Sequence, residues 1–517
     1  MPDRHSELEP GRVSAVHAPG AHAPTPRVAI VGAGASGLCM AIALKKAGIE
    51  SFTIFEKSDG VGGTWRDNTY PGAGCDVPSH LYSFSFAPNP EWSHAYSLQP
   101  EILRYFEDCA RRFGLLPHCR FRTELESARF DEAAALWRLR TKEGEEIAAE
   151  ILVSGVGQLN RPMYPKLPGL EDFRGKTFHS ARWDHGYDLA GKRVAVIGNG
   201  ASALQFIPRI APVVARLSLF QRSNNWVIPR GDRAYTDREK AWFRRSKTFR
   251  LLRRGLIYLL LENNFFAFRP GTFMARMMEK RARAHLAAQV PDPAMRERLT
   301  PDYPIGCKRI LIGDDYYPAI VRDNVEVVTD AIVRVTEDAV VTADGREHPV
   351  DAILYATGFV TTSFLAPMKI TGRGGVRLED AWKEGAEAYL GIAVAGFPNF
   401  FLLYGPNTNL GHNSIIFMIE CQVRYVSACL KAMRKKHLRW LDVKPAVMAR
   451  FNKELRRKLD KTVWATSCTS WYKTEDGKIT NNWSDFTLRY WWRTRRPKFR
   501  AFETAGPVAA EAKVPTA

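Results

Sequence analysis

The sequence predicts an α/β fold made of two dinucleotide-binding domains, the second inserted in the first. Two glycine-rich turns, at Gly32 and at Gly198, each lie between a short apolar run and a helical pattern. A third apolar run ends in small residues at Ala356. A chain of 517 residues is also too long for one hydrophobic core, since domains usually hold about 100–200 residues. Together these observations predict nested βαβ units.

The composition is that of a globular protein with an excess of cations. Apolar residues make up 45%, and 74 Lys and Arg against 55 Asp and Glu leave a formal net charge of +19. This balance suits anionic partners, which include dinucleotide phosphates, nucleic acid and membrane surfaces. The eight cysteines are scattered without a CxxC pair, which argues for a reducing compartment and against a metal site. The cytoplasm is therefore the expected location.

Residues 1–26 are expected to be a disordered tail and not a signal peptide. Residues 1–26 lack an apolar h-region and are rich in Pro, Ala, Gly and His, so they predict a disordered tail. The longest apolar stretch, residues 255–268, is interrupted by Glu262 and two asparagines. It is too short to span a bilayer.

The first unit reads "RVAIVGAGASGLCMAIALKKAGIESFTIFEK" and predicts a strand at 27–31, a helix at 36–47 and a strand at 51–55. Its GxGxxG turn lets the backbone approach a pyrophosphate at the helix N-terminus, and the carboxylate that ends the second strand can take ribose hydroxyls. An unphosphorylated ribose fits this unit, which predicts FAD. The residues expected to bind it are Gly32, Gly34, Ser36, Gly37 and Glu56.

The second unit, "RVAVIGNGASALQFIPRIAPVVARLSLFQRS", repeats the pattern with Ala203 in the third glycine position, a place that serves helix packing. Its second strand ends at Arg222 instead of a carboxylate. A cation there accommodates a 2′-phosphate, which predicts NADPH. Two such units define Rossmann-like domains. The residues expected to bind NADPH are Gly198, Gly200, Ser202, Ala203, Gln205, Arg222 and Ser223.

The strand end "VDAILYATGF" brings Thr357 and Gly358 against a bound cofactor, since small residues permit that approach. With the similar turn "ILVSGVGQLNRP", it marks entry to and exit from the inserted domain. The predicted division is a tail at 1–26, FAD-binding parts at 27–160 and 341–490, an NADP-binding domain at 161–340 with a helical insertion at 235–299, and a C-terminal tail at 491–517.

Two long patterns resemble the class B flavoprotein monooxygenases, specifically the type I Baeyer–Villiger family. The fingerprint FxGxxxHxxxW followed by Pro or Asp is met by Phe173, Gly175, His179, Trp183 and Asp184. The related N- and S-oxygenating flavin monooxygenases usually carry another aromatic residue in the Trp position. The pattern GxWxxxx[FY]P[GM]xxxD is met in full by "GTWRDNTYPGAGCD". By this resemblance, further cofactor-binding residues are Gly63, Thr64, Trp65, Asp76 and Tyr82.

The resemblance also implies roles for charged residues. Arg309 is expected to stabilise negative charge on a flavin peroxide and on its adduct with a ketone, because a guanidinium stays charged at any working pH. Asp76 is expected to pair with Arg309 and to orient it, while Lys308 lies near the NADP phosphate. His179 is expected to couple NADP binding to closure of the active site, without a role in proton transfer. Trp471 is expected to contact the nicotinamide nucleotide.

The function that the resemblance implies is insertion of an oxygen atom next to a ketone carbonyl, with NADPH and O2, to give an ester or lactone through a C4a-peroxyflavin. The alternative is an N- or S-oxygenating flavin-containing monooxygenase. A dithiol reductase is less favoured, since no cysteine pair follows the first helix. Expected partners are a small ketone and O2, with no nucleic acid, no metal and no obligate protein partner. Which ketone is oxidised stays open.

The basic and apolar segment around residues 244–286 allows two interpretations. It mixes Arg and Lys with Leu and Phe at helical spacing, so it could bind a membrane surface or nucleic acid. A solvated helix pair lining the substrate cleft explains the same pattern, and this interpretation is preferred.

Overall fold

The structure, a computed structural model, describes residues 26–466 and 470–506. The predicted disordered tail at 1–26 lies outside the described residues apart from Pro26, and so do residues 507–517 of the predicted C-terminal tail. Residues 491–506 are described and are not a free tail, because Phe502–Ala505 pairs antiparallel with Trp440–Val443.

The first parallel sheet holds the first glycine-rich turn at the carboxyl end of its central strand. Its inner strands are mostly apolar, as expected where helices cover both faces of a parallel sheet. In spatial order they are Phe400–Leu402, Ile151–Ser154, Val28–Val31, Phe52–Phe55 and Cys119–Arg120.

The second parallel sheet is built around the second glycine-rich turn. Its strands in spatial order are Val325–Val328, Arg216–Phe220, Arg193–Ile197, Ala352–Tyr355 and Lys176–His179. The strand that precedes the "ATG" end therefore belongs to this sheet, although it lies beyond residue 340, where the predicted second domain ends. The fingerprint segment supplies an edge strand, so His179 lies at the carboxyl edge beside the glycine-rich turn.

Smaller sheets flank these two. The described chain has a four-stranded sheet, a three-stranded meander and two strand pairs. Their strands are Lys369–Thr371, Leu125–Asp131, Leu136–Thr141 and Glu146–Ala149; Ile332–Val335, Ala339–Thr342 and Glu347–Pro349; Val227–Ile228 with Leu311–Ile312; and Trp440–Val443 with Phe502–Ala505.

Helices cover the sheets and build the predicted insertion. They are α1 to α13 in chain order: Ala35–Lys46, Thr64–Asp67, Gln99–Arg112, Ala201–Ile210, Asp237–Arg245, Lys247–Asn263, Phe273–Gln289, Pro293–Leu299, Tyr316–Ile320, Leu378–Ala381, Ile415–Lys436, Pro445–Leu459 and Thr487–Arg493. The first of them agrees within a residue with the predicted helix at 36–47. Helices α5 to α8 fall within the predicted insertion at 235–299. Across residues 26–466 and 470–506, no helix has both the length and the apolar composition needed to cross a bilayer.

The main hydrophobic cores follow the two sheets. The larger joins the first sheet to α1, α3 and α11, and the second joins the other sheet to α4 and α9. Six of the described cysteines are free, whereas Cys307 is disulfide-bonded. A disulfide bond is not expected in a reducing compartment, so this bond differs from the sequence-based expectation.

Candidate active site

The first nucleotide cradle forms where Val28–Val31 ends and α1 begins. Gly32 has a φ of +97°, a conformation that favours glycine. A Cβ at Gly37 would lie 1.9 Å from the carbonyl oxygen of Gly32, and a Cβ at Gly63 would lie 2.9 Å from the Cα of Gly34. Only glycine permits these approaches, so the turn, the helix and the segment before Thr64 close into one backbone cradle.

The Glu56 carboxylate stands at the edge of this cradle. It ends the strand Phe52–Phe55 and is only 7% exposed. One oxygen accepts the Ala33 N–H at 2.7 Å and the other accepts the Ser58 N–H at 2.8 Å. Among the described residues, no side chain caps α1, whose first turn contains the buried Ser36. Free helix N–H groups beside a ribose acceptor fit a dinucleotide with unmodified ribose, as FAD has.

The second cradle has the same construction. Gly198 has a φ of +100°, and a Cβ there would lie 2.5 Å from the carbonyl oxygen of Ala356. The strand end that carries Thr357 and Gly358 thus packs directly on the turn, and its approach to a bound cofactor stays a prediction. A Cβ at Gly200 would enter open space, while Ala203 is fully buried against the sheet. The cradle leaves room for a second pyrophosphate at the start of α4.

Cations and a hydroxyl group gather where the second unit's ribose site is expected. The Lys308 ammonium donates to the Ser223 hydroxyl at 2.5 Å. Burial and the nearby charge of Arg222 lower the pKa of Lys308, against the opposing effect of Asp302. The Arg222 side chain is exposed. Two cations flanking a hydroxyl group form a donor set that fits a phosphate monoester, and thus the 2′-phosphate of NADPH.

Gln205 is predicted to bind the cofactor. Its side chain joins α4 to the loop that carries Tyr70 and Gly74. Its amide oxygen accepts from the Tyr70 hydroxyl at 2.9 Å and from the Gly74 N–H at 3.2 Å, while its amide nitrogen donates to the Gly74 carbonyl at 3.0 Å. A Cβ at Gly72 would lie 2.6 Å from the Gln205 carbonyl oxygen. The Ser202 side chain also lies within reach of Tyr70. The second sequence pattern thus forms a seam against α4.

At this seam Asp76 and Arg309 form a direct ion pair between a carboxylate oxygen and a guanidinium nitrogen. Each side chain is 31% exposed. Asp76 raises the pKa of Arg309 well above its usual range, against the effect of burial. The guanidinium is therefore permanently charged, and one carboxylate fixes its direction.

Aromatic hydroxyl groups surround the pair. Burial raises the pKa of Tyr472 to about 12, against the effect of the nearby Arg309. Burial also raises the pKa of Tyr404, whose hydroxyl donates to the Asn409 amide oxygen at 2.7 Å. Both hydroxyl groups remain protonated at working pH. The Tyr404 proton is donated to Asn409, whereas the Tyr472 hydroxyl can donate to a bound group. The sequence analysis did not identify either one, although Tyr472 directly follows Trp471 and Tyr404 precedes the loop "GPNTNLGHNSI".

Other predicted cofactor residues lie close by. Trp65 donates its indole N–H to the Tyr82 hydroxyl at 3.0 Å. The ring of Trp471 packs against Tyr472 at 4.5 Å between centroids, and its carbonyl accepts from Asn481 at 2.9 Å. The structure therefore places Trp65, Tyr82 and Trp471 in the core that also contains the first cradle.

The fingerprint segment fills the junction beside the second cradle. A Cβ at Gly175 would lie 2.4 Å from the Phe173 ring and 2.5 Å from the Asp351 carbonyl oxygen, so this position requires glycine. His179 is fully buried, and its Nδ1 accepts the Ala181 N–H at 3.0 Å. Burial lowers the pKa of His179 to about 4. A neutral, buried imidazole whose Nδ1 accepts from the neighbouring backbone agrees with a structural role.

Glu262, a buried carboxylate, also belongs to the surroundings of the site. In the sequence it stands out only as an interruption of the apolar stretch at residues 255–268. Glu262 in α6 accepts from the Asn413 amide and the Thr487 hydroxyl, each at 2.7 Å. It thereby joins the helical insertion to the loop before α11 and to α13. One acidic residue within an apolar run was the available signal, since such a group requires buried partners.

Two dinucleotide cradles joined by a seam that carries a permanent cation fit a flavin- and nicotinamide-dependent oxidoreductase. Comparison with known proteins agrees. The flavin-binding monooxygenase-like family matches residues 25–369. A Baeyer–Villiger monooxygenase of Pseudomonas aeruginosa is 47% identical over 487 residues, which cover 94% of this chain and 92% of the relative. The chain belongs to the flavin-binding monooxygenase family, within its Baeyer–Villiger group.

Solved structures give the same result for the fold. The complex of OTEMO with FAD and NADP superposes with a TM-score of 0.84 at 28% identity and covers 93% of this chain and 100% of its own. Cyclohexanone monooxygenase from Rhodococcus sp. Phi1 bound to NADP+ gives 0.82 at 30%, with 94% and 100% covered. The predicted fold class and family are confirmed, and the N- or S-oxygenating alternative is not favoured.

Proposed function

We propose that Arg309, oriented by Asp76, is the cation that stabilises developing negative charge when this enzyme transfers oxygen to a ketone. The chain is an FAD-containing, NADPH-dependent Baeyer–Villiger monooxygenase. It inserts one atom of O2 next to a ketone carbonyl to give an ester or lactone, and the other atom leaves as water. Bound FAD supplies the activation of O2, with electrons from NADPH. The observation that carries the proposal is the ion pair at the seam between the two cradles.

The charge argument rests on elementary chemistry. When an oxygen nucleophile adds to a carbonyl carbon, the carbonyl oxygen acquires negative charge. A preorganised donor aimed at that position lowers the barrier most where water is scarce. Arg309 is held in one direction by Asp76, and the hydroxyl groups of Tyr404 and Tyr472 lie within electrostatic reach of it. Arg309 and the Tyr472 hydroxyl are the proposed donors to the substrate oxygen, and Tyr404, which donates to Asn409, lines the site.

The preference for NADPH is proposed to lie with Arg222, Ser223 and Lys308. Lys308 is one residue from Arg309, so the segment that binds the 2′-phosphate also carries the reactive cation. Binding of NADPH would thus stabilise the position of Arg309. The seam through Gln205 supports this proposal, because it fixes α4 against the loop that ends in Asp76.

Three broader expectations are retained as proposals. The two sheets and the glycine turns support the division into FAD-binding parts at 27–160 and 341–490 and an NADP-binding domain at 161–340, with the second domain's sheet extended to Tyr355. Small ketones are the proposed substrates. The cytoplasm is the proposed location.

The test is a product assay on the purified yellow protein. NADPH consumption is followed with linear, cyclic and aryl ketones beside sulfides and amines, and products are identified by mass and by ester hydrolysis. Esters or lactones are expected, with formation dependent on Arg309. Sulfoxides or N-oxides as the sole products would contradict the ketone proposal and support the alternative.

A further inference from the structure

Helix α6 (Lys247–Asn263) turns its apolar face away from the protein. Leu252 is 67% exposed, and the other members of the outward stripe are also more than half exposed. Exposed apolar residues are ordinary when scattered singly, but a contiguous stripe marks an interaction surface. The stripe consists of Leu251, Leu252, Leu256, Leu259 and Leu260.

The inward face of the same helix is polar and fixes this orientation. Arg254 donates to the carbonyl oxygens of His80 at 2.8 Å and Ser83 at 3.0 Å. The hydroxyl groups of Tyr258 and Thr487 are 2.8 Å apart, and Glu262 accepts from Thr487 at 2.7 Å. Rotation of the helix to bury its leucines would break these hydrogen bonds and leave buried polar groups unsatisfied, which disfavours it.

The apolar surface continues onto α13 (Thr487–Arg493). The contacts of Thr487 place the start of α13 against the end of α6, and the next residue, Leu488, is exposed. One turn later Trp492 is 64% exposed. Phe266 is also exposed and packs against Phe486 at 5.3 Å between ring centroids. The exposed side chains of Phe266, Leu488 and Trp492 add to the exposed leucines of α6, and we call these residues together the α6–α13 face.

Cations surround this face. Residues 237–289 carry thirteen Lys and Arg against four Asp and Glu, and one of those acids, Glu262, is buried. Arg245 and Lys247 are exposed directly before the leucine stripe, and Arg495 and Arg496 are exposed just after α13. A second copy of the chain would bring like charges together, which disfavours pairing. Anionic lipid headgroups complement the cations, while acyl chains accept the leucines.

We propose that the α6–α13 face docks on the surface of an anionic lipid bilayer, with α6 lying in the interfacial plane. The 17 residues of α6 make a helix about 26 Å long, and interfacial helices of this kind bury an apolar face at the boundary of headgroups and acyl chains. The inward contacts of Arg254 and Glu262 then connect the docked helix to the loops after Asp76 and before α11. The sequence-based preference for a solvated helix pair is the alternative that the following experiments test.

The first experiment is sedimentation of the full-length, FAD-loaded protein with phosphatidylcholine vesicles and with phosphatidylglycerol-rich vesicles across a salt series. Salt-sensitive pelleting with the anionic vesicles is expected. The triple substitution Leu252→Gln, Leu256→Gln, Leu259→Gln should weaken vesicle binding at least about tenfold, since each buried leucine contributes roughly 1 kcal/mol or more. Leu116→Gln, at an exposed leucine outside the α6–α13 face, is the matched control and should bind as the unmodified protein does.

Two further measurements separate the explanations. The double substitution Arg245→Gln, Lys247→Gln should reduce the salt dependence of vesicle binding. Brominated lipids should quench the tryptophan fluorescence contributed by Trp492, so less quenching is expected in Trp492→Phe. NADPH oxidation in solution should be unchanged in these variants. Absence of pelleting would overturn the proposal. Light scattering that shows a dimer, converted to a monomer by the leucine substitutions without vesicle binding, would overturn it in favour of an interface between copies.

Discussion

Asp76 and Arg309 are 233 positions apart in the chain and form an ion pair. The loop that carries Asp76 belongs to the unit of the first cradle. Arg309 follows the helical insertion and is adjacent in sequence to Lys308, which lies at the expected phosphate site of the second cradle. The pair therefore exists only when the two units are docked. The position of the reactive cation depends on the relative placement of the nucleotide-binding units.

Substitution of this pair should separate oxygen transfer from NADPH oxidation. Arg309→Lys keeps a charge but loses the planar fork held by Asp76, so ester formation should fall about 100–1,000-fold. Asp76→Asn keeps the shape and loses the orienting charge, and a smaller loss is expected. Ester yield and NADPH consumption are measured together with flavin absorbance. Arg174→Lys, at an exposed ion pair, is the control. Unchanged ester formation in Arg309→Lys would contradict the proposed role.

Coenzyme preference should depend on Arg222. Arg222→Gln removes one cation from the proposed phosphate site, and a charge-assisted hydrogen bond contributes about 1.5–3 kcal/mol. The KM for NADPH should therefore rise about 10–100-fold, with little change for NADH. Steady-state kinetics with both coenzymes at two salt concentrations provide the measurement. Equal losses for NADPH and NADH would place Arg222 outside the phosphate site.

Local patterns in the sequence predicted the cradles well, and nonlocal pairing could not be predicted. The first glycine turn, α1 and Glu56 lie within one continuous stretch, so spacing alone determined them. The strand Ala352–Tyr355 lies beside Arg193–Ile197, about 160 residues earlier. Sheet order of this kind depends on which apolar faces meet in the folded chain. No local pattern specifies it.

The hydrogen-bond partners of buried side chains also could not be predicted from the sequence. Gln205 occupies a position expected to face a cofactor, yet its amide is used by Tyr70 and Gly74. The periodicity of α6 predicted an amphipathic helix without telling which face is buried. That choice is made by Arg254 and Glu262, whose partners are 151 to 226 positions away. Burial of polar groups with distant partners outweighed burial of leucines.

Asp442 should make the protein less stable at alkaline pH. Burial raises the pKa of this carboxyl to about 7, against hydrogen bonds from the Gly396 N–H and the charge of Arg373. The unfolded carboxyl titrates near pH 4, so between about pH 4 and pH 7 the folded state holds more protons than the unfolded state. Stability from this group is present at low pH and is lost as the pH rises, by up to about 4 kcal/mol.

Asp442→Asn should therefore raise the thermal unfolding midpoint at pH 8 relative to the unmodified protein and should have little benefit at pH 5. Scanning calorimetry of the FAD-loaded protein at both pH values provides the test. Asp330→Asn, at an exposed aspartate, should change the unfolding midpoint by the same small amount at pH 5 and at pH 8. A benefit of equal size at both pH values would mean that the ionised carboxylate is not the cause.

His179 should act in the opposite direction. Burial lowers its pKa to about 4, whereas an unfolded histidine titrates near 6.5. Between these values the unfolded state binds more protons, so stability falls as the pH drops from about 6.5 to about 4, by roughly 3 kcal/mol. Protonation also removes the Nδ1 acceptor used by the Ala181 N–H.

His179→Asn keeps an acceptor at that position without titrating. It should be less stable at pH 8, because the ring contacts with Tyr164 and Phe359 are lost, yet its unfolding midpoint should change less between pH 6.5 and pH 4.5. His437→Asn, at an exposed histidine, should follow the unmodified protein. Burial lowers the pKa of His80 to about 4 as well, so a shallower slope is expected, not a flat one. Parallel curves for His179→Asn and the unmodified protein would show that His179 does not titrate in this range.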